Sequence, residues 1–198
     1  MSEFDVVVLG SGPGGYVAAI RASQLGLKTA IVEKADLGGV CLNWGCIPSK
    51  ALLRNAEVLT LINHADEFGI SFNNLKIDYG KAIDRSRTVV DKLTRGIGML
   101  LKKNNIEHVK GNGRLMDHHT VEVSDTGRRL SSETIIITTG ARQRNIPSMP
   151  IDNEIVITSR DALELRNVPK RVLIVGGGAT GCEFAHIYRT YGAHVTIV

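Results

Sequence analysis

Aromatic residues are scarce in this chain, at 5% of 198 residues with a single tryptophan, and there are only three cysteines and five prolines. Three cysteines cannot build the disulfide framework of a small secreted domain. No second cysteine or histidine pair stands at zinc-like spacing, so no metal site is expected. No apolar run approaches the roughly 20 residues that cross a bilayer as a helix, so no membrane association is expected either. The net charge of +4 is scattered, and without a basic stripe interleaved with aromatics it predicts no nucleic-acid partner. The first apolar strand begins at the fourth or fifth residue, which leaves no room for a leader before it and predicts a cytoplasmic protein. In a reducing compartment a close cysteine pair belongs to catalysis or metal binding rather than to a structural staple. With 43% hydrophobic residues the chain can bury a core.

What is present is a dinucleotide-binding pattern, twice. Asp5–Leu9 reads as a buried strand, and Gly10-x-Gly12-x-x-Gly15 turns it into an alanine-rich helix that stops near Gly26. Lys28–Val32 reads as a second strand ending at Glu33. The glycines let backbone approach a pyrophosphate, the helix N-terminus faces its charge, and the carboxylate can take ribose hydroxyls. At a constant offset of 166, Val172–Val175 with Gly176, Gly178 and Gly181 repeats the first strand and turn, Gly192 repeats Gly26, and His194–Val198 repeats the second strand. Two such units imply two dinucleotides, one handing electrons to the other. The offset places the counterpart of Glu33 at position 199. A parallel sheet needs both faces covered, so two strands alone predict a fragment of something longer.

Between the units, Pro48 to about Phe68 reads as one helix, with Leu52, Leu53, Ala56, Leu59 and Ile62 at helical spacing. Tyr79–Asn105 reads as a long amphipathic helix carrying Ile83, Val89, Val90, Leu93, Ile97, Leu100 and Leu101, with a kink expected at Gly96 and Gly98. Short strands follow at Ile106–Val109, Arg114–Met116, Thr120–Val123 and Arg129–Leu130, the last two joined by a turn at Asp125–Gly127. Ser132–Thr139 reads as a separate buried strand, Pro147–Pro150 as the exit from the first domain, and Asp161–Leu165 as a short helix. The fold class expected is α/β: a Rossmann-like FAD/NAD(P)-binding fold, a parallel sheet with helices and a small antiparallel meander, and a second Rossmann unit only begun. The domains expected are 1–148 and 149–198.

Cys41-Leu-Asn-Trp-Gly-Cys46 carries the chemistry. Two thiols five positions apart at a helix start can close a small disulfide ring. A thiolate is the reactive form, and a helix N-terminus beside a cation lowers a thiol pKa from about 8.5 toward neutrality. Lys50, one helical turn past Cys46, shares that face.

Gly38-Gly-Val-Cys41-Leu-Asn-Trp-Gly-Cys46-Ile-Pro-Ser-Lys50 resembles the active-site segment of the flavoprotein pyridine-nucleotide disulfide oxidoreductases. Leu42-Asn43 and Ile47-Pro48-Ser49-Lys50 favour the dihydrolipoamide dehydrogenase branch, and the resemblance runs along the whole chain but covers only the front part of a family member. It implies FAD against Gly10, Gly12, Gly14 and Gly15, with Glu33 on the adenosine ribose. Lys34, Gly39, Val40, Cys41, Lys50, Gly113, Thr139, Gly140 and Ala141 are its further contacts. NAD is implied at Gly176, Gly178 and Gly181; glycine at 181 leans toward NAD over NADP. Cys46 is implied as the thiol nearest the flavin and Cys41 as the one exchanging with substrate. A buried Lys50 ammonium would need an anion, nominated as Glu183, in a pair bridging the two domains; the plainer reading of Glu183 is a first-turn helix acid.

The implied reaction reoxidises dihydrolipoyl groups of 2-oxoacid dehydrogenase or glycine cleavage complexes, with electrons passing through FAD to NAD+ in a homodimer. The family's base is a C-terminal His–Glu pair that this chain does not contain, and none of its six histidines fits that role. His118 and His119 read as strand residues on opposite faces. Cys182 reads as a small packed hydrophobe, and Trp44 as a shield for the sulfurs or a packing residue. Alternative readings are a related disulfide or mercuric reductase and a non-catalytic dinucleotide-binding fragment.

Overall fold

A computed structural model describes residues 2–198. Elements follow in the order β1 (Phe4–Leu9), α1 (Pro13–Gln24), β2 (Thr29–Glu33), α2 (Gly39–Trp44), α3 (Cys46–Asn63), α4 (Tyr79–Lys103), β3 (Glu107–Lys110), β4 (Gly113–Leu115), β5 (Thr120–Val123), β6 (Arg128–Ile137), α5 (Ser159–Ala162), β7 (Arg171–Ile174), α6 (Ala179–Thr190) and β8 (His194–Ile197). They pack as two compact units, one of the segment up to Asn43 with Asp91–Gln143, the other of Trp44–Val90 with Arg144–Val198.

The first unit holds a six-stranded sheet in the order β3-β2-β1-β6-β5-β4. β1 pairs in parallel with β2 and β6, and β2 with β3; β6, β5 and β4 form the antiparallel part. All five β2 residues are buried, as a central parallel strand covered on both faces requires. Phe4, Val7, Leu9, Ala30, Val32, Val121, Val123 and Leu130 make one core cluster. The two strands expected at 129–130 and 132–139 are a single ten-residue strand. Its front, Arg128–Ser131, pairs with β5 and its back, from Ser132, pairs with β1, so one extended segment serves two partners. His118 and His119 lie in the bend before β5 rather than in a strand. Their rings lie 4.4 Å apart instead of on opposite faces.

The second unit contains β7 and β8, paired in parallel. Its core joins Leu52 of α3, Tyr79, Ala82 and Ile83 of α4, Ala162 and Leu163 at α5, and Phe184, Ile187 and Tyr188 of α6. Burial pushes the Tyr188 hydroxyl up to about 12. Helix α3 begins two residues before the expected Pro48 and stops at Asn63, a separate 3-10 turn covering Ala65–Phe68. Of the apolar stripe expected along α4, Ile83, Val90, Ile97 and Leu101 are buried, whereas Leu93 and Leu100 are exposed. The helix runs continuously through Gly96 and Gly98.

The internal repeat is reproduced residue by residue. Val6 pairs with Thr29 and Val8 with Ile31 in the first unit; at the same offset Val172 pairs with Val195 and Ile174 with Ile197. Even the closing hydrogen bonds match, Gly10 N–H to the Val32 carbonyl and Gly176 N–H to the Val198 carbonyl, both at 2.8 Å.

Candidate functional site

Each repeat ends its first strand in a turn whose glycines have different physical duties. A Cβ on Gly15 would stand 1.9 Å from the Gly10 carbonyl oxygen, and one on Gly181 2.0 Å from the Gly176 carbonyl oxygen. These glycines exist so that helix and strand can touch. A Cβ on Gly12 or Gly178 would meet nothing within 4 Å, so the room there is left for something else. Gly12 and Gly178 are the N-caps of α1 and α6, and neither helix has a side-chain cap or an acidic residue in its first turn. Uncapped N–H groups and the positive helix end form an anion-binding arrangement. The residues present therefore fit the pyrophosphate of a dinucleotide at both turns.

Glu33, at the end of β2, is 8% exposed. Its carboxylate accepts the Ser11 N–H and the Ser11 hydroxyl at 2.8 Å each and the Ala35 N–H at 2.9 Å. Burial raises its pKa, but the hydrogen bonds from Ser11 and Ala35 outweigh that and hold the group below the ordinary glutamate value. It is an ionised acceptor at neutral pH, as ribose hydroxyls require. Ser11 is fully buried.

Two further contacts, unseen in the sequence, shape this turn. Thr138, just past β6, donates its hydroxyl to the carbonyls of Leu9 (3.0 Å) and Gly10 (2.8 Å). Gly39 approaches so closely that its Cβ would lie 2.7 Å from the Gly12 Cα, and the Gly38 N–H donates to the Ser11 carbonyl. That seats the start of α2, and Cys41 with it, against the nucleotide turn. Asn43, 6% exposed, fixes the same segment by donating its amide to the carbonyls of Leu37 and Gly39. Neither the Asn43 bonds nor the Thr138 bonds carry a sequence pattern of their own.

The remaining expected contacts in this unit are placed as follows. Lys34 and Val40 are exposed, as are Gly14, Thr139, Gly140 and Ala141. A Cβ on Gly113 would stand 2.3 Å from Leu9, which gives that glycine a packing reason.

Cys41 and Cys46 are disulfide-bonded. Cys46 is the first residue of α3, an 18-residue helix with no acidic residue in its first turn and no side-chain cap at Gly45. Cys46 is exposed and Cys41 half-buried. A sulfur at that uncapped positive end has its thiolate favoured.

In the same helix, Lys50 Nζ lies 2.5 Å from Glu183 Oε1, and the Ser49 hydroxyl donates to Glu183 Oε2 at 2.7 Å. Burial raises the Glu183 pKa, while the bonds from Lys50 and Ser49 carry it below its usual value. The nominated pair thus forms, with one correction, to the first-turn reading of Glu183. The Lys50 side chain is 59% exposed. The pair ties α3 to α6, both within the second compact unit. Glu183 falls past the first turn of α6, so the helix-acid reading does not hold. Cys182 is exposed and donates to the Gly177 carbonyl at 3.3 Å, so it is not a packed hydrophobe. Gly176 and Gly178 are exposed and Gly181 is half-buried. No group of histidine, cysteine and acidic side chains suited to a metal ion occurs among the described residues. None of their helices is long and apolar enough to cross a membrane.

A doubled βαβ turn with open glycines and a closely spaced disulfide at a helix head defines a dinucleotide-binding disulfide oxidoreductase architecture. Comparison with known proteins agrees. Residues 4–198 match the family described as pyridine nucleotide-disulphide oxidoreductase, and the chain belongs to that family. It is 49% identical over 200 residues to dihydrolipoyl dehydrogenase of Chlorobaculum tepidum, covering 100% of this chain and 43% of that protein. To dihydrolipoyl dehydrogenase of Bacillus subtilis it is 44% identical over 208 residues, covering 100% and 44%. Among solved structures, the Cu(II) complex of HOCl-induced flavoprotein disulfide reductase RclA from Escherichia coli superposes with a TM-score of 0.81 at 30% identity, over 98% of this chain and 41% of that one. The chain thus spans less than half the length of these relatives.

Proposed function

We propose that this chain is the front portion of an NAD-dependent dihydrolipoyl dehydrogenase, with 1–148 as the first segment of the FAD-binding domain and 149–198 as the start of the NAD-binding domain. The observation that carries the reading is the Cys41–Cys46 disulfide at the head of α3. The identities to dihydrolipoyl dehydrogenases support the branch.

FAD would be held by Gly10, Gly12, Gly14, Gly15, Glu33, Lys34, Gly39, Val40, Cys41, Lys50, Gly113 and Thr139–Ala141, and NAD by Gly176, Gly178 and Gly181. Bound together, these cofactors would supply acceptance of an electron pair and its delivery as hydride to NAD+. The chain's own residues perform the sulfur chemistry. A dihydrolipoyl thiolate attacks Cys41 Sγ, the Cys41–Cys46 bond breaks, and Cys46 leaves as a thiolate favoured by the α3 N-terminus. The second substrate thiol closes the lipoyl disulfide and releases Cys41. Ser49 and Lys50 hold Glu183 ionised beside this helix. The substrates served are lipoyl groups of 2-oxoacid dehydrogenase or glycine cleavage complexes, and the working state is a cytoplasmic homodimer.

The test is to expose the chain to dihydrolipoamide and count alkylated cysteines by mass. One thiol, Cys182, is free at the start, and two more are expected. Uptake of FAD, read as yellow protein, is expected alongside. A pair that glutathione opens but dihydrolipoamide does not would shift the reading to another disulfide reductase. A protein that never takes up flavin would reduce it to a binding fragment.

A further inference from the structure

Charge that is scattered along the sequence is gathered on one helix of the first unit. Lys92, Arg95, Met99 and Lys102 follow one another at three, four and three residues, which puts them on one face of α4. With Leu37 and Thr94 they line an open groove, and all six belong to the first unit. From Lys92 to Lys102 the stripe runs about 15 Å at the helical rise. Met99 is 67% exposed, so it and Leu37 offer an apolar strip among the cations.

None of the ion pairs among the described residues involves Lys92, Arg95 or Lys102, and no described acidic residue lines the groove. Asp91 and Asp36, the sequence neighbours of Lys92 and Leu37, stand outside the lining. Asp91 accepts the Arg95 Nε–H through its backbone carbonyl, at 3.2 Å, a contact that carries no net charge. Glu33, before Leu37, is buried and taken up by Ser11 and Ala35. Glu107, past the end of α4, is taken up by Arg128. Such a surface suits acidic groups set around an apolar side chain, with charge steering the approach and apolar contact holding it. A small anion would leave Met99 and Leu37 uncovered.

The groove also shares a wall with the disulfide segment. The Thr94 hydroxyl donates to Asn43 Oδ1 at 3.4 Å, and the Asn43 amide donates to the Leu37 carbonyl at 3.0 Å. Asn43 stands between Cys41 and Cys46 in sequence, so two lining residues are tied to the redox segment itself.

We propose that this groove docks the polypeptide carrying the dihydrolipoyl group, gripping an acidic segment of it with an apolar residue at its centre. This role rests on the reaction proposed at Cys41–Cys46. In that step the Cys41–Cys46 bond breaks and the lipoyl S–S bond forms. Two electrons pass from the dithiol to the ring, and its two protons pass to the cysteines or to solvent.

The experiment compares three reductants of the full chain: free dihydrolipoamide, a dihydrolipoyl-lysine peptide with glutamates around one leucine, and the same peptide with every glutamate made glutamine. Opening of the pair is followed by alkylation and mass. At low ionic strength the acidic peptide should react about tenfold faster than the neutral one. That preference should fade near 1 M salt, where the screening length is about 3 Å. The combined variant Lys92→Gln, Arg95→Gln, Lys102→Gln should lose the preference and keep the parental rate with free dihydrolipoamide. Met99→Ala should slow both peptides and spare dihydrolipoamide. Removing the same charge at Lys76, Lys81 and Lys170, exposed lysines of the second unit, should leave the preference intact. Equal rates for the two peptides with the parent overturn the proposal. So does a preference that survives the groove variant, or that is lost equally in the second-unit control. An oligonucleotide that displaces the acidic peptide more strongly than a dithiol-free copy of that peptide assigns the groove to nucleic acid, and also overturns it. A parental ring that free dihydrolipoamide cannot open would instead sink the reaction beneath it.

Discussion

Gly12 and Gly15 sit three residues apart in one turn, yet replacing each by alanine should fail in opposite ways. The Gly15→Ala methyl would lie 1.9 Å from the Gly10 carbonyl oxygen and 2.7 Å from the Thr138 hydroxyl. Overfilling a packed site costs about 1–3 kcal/mol, and the obstacle here is backbone that cannot rotate away, so about 3 kcal/mol is the better figure. At roughly 2–4 °C per kcal/mol for a chain of this size, the melting temperature should drop by about 6–12 °C. The Gly12→Ala methyl enters open space from φ −63°, an ordinary backbone value. Its cost as a poorer N-cap, up to about 1 kcal/mol, is offset by a gain of about 0.4–1 kcal/mol from the stiffer unfolded chain. Melting should hardly move, but the methyl occupies the pyrophosphate's path. Losing one charge-assisted hydrogen bond of about 1.5–3 kcal/mol weakens FAD roughly tenfold to a hundredfold. The assay is thermal unfolding without nucleotide together with FAD titration by quenching of flavin fluorescence. Equal destabilisation by the two substitutions, or parental FAD affinity in a stable Gly12→Ala protein, would refute the division of labour.

Four other outcomes are expected. Leu130→Ala empties a fully buried site in the first core and should cost about 2–5 kcal/mol in urea unfolding; a loss below about 1 kcal/mol would contradict the packing described. Ser49→Ala removes the buried hydroxyl on Glu183 and should cost about 1 kcal/mol, which a double-mutant cycle with Glu183→Gln checks, since a zero coupling would show the bond contributes nothing. Glu33 has a folded pKa below its ordinary value, so it contributes stability above that value and loses it as the pH falls through the depressed one. Between about pH 6 and pH 3 the parent should therefore lose more stability than Glu33→Gln, and parallel urea midpoints would count against the Ser11 hydrogen bonds. Cys46→Ser should leave two alkylatable thiols, Cys41 and Cys182, and abolish oxidation of dihydrolipoamide together with any long-wavelength thiolate-to-flavin band; survival of that band would remove Cys46 from its proposed place.

Much of the fold was legible because its signals are local. Strand β1, the glycine turn and strand β2 each depend on residues within a short window, and the 166-residue offset carried the same reading to β7, α6 and β8. What failed depended on partners. The break expected between 129–130 and 132–139 is absent because β6 stays extended while it changes neighbours from β5 to β1. Leu93 and Leu100 fit the helical stripe of α4 but face outward, since periodicity marks a face and not the body that covers it. Glu183 was found only through the family pattern; Ser49 lies in the same family segment, but nothing in it revealed the bond to Glu183.

Sequence alone determined the chemistry available: two thiols at a helix head, two open glycine turns and an acid at the end of a strand. Spacing along a chain is enough for these, because each acts through its own backbone or its nearest turn. Tertiary structure alone decided their electrical setting. It cancelled Lys50 against Glu183, 133 residues away in sequence, and set Leu37 in one groove with Lys92, Arg95 and Lys102. Coulomb interaction depends on distance through space, and the linear order of residues does not contain that distance.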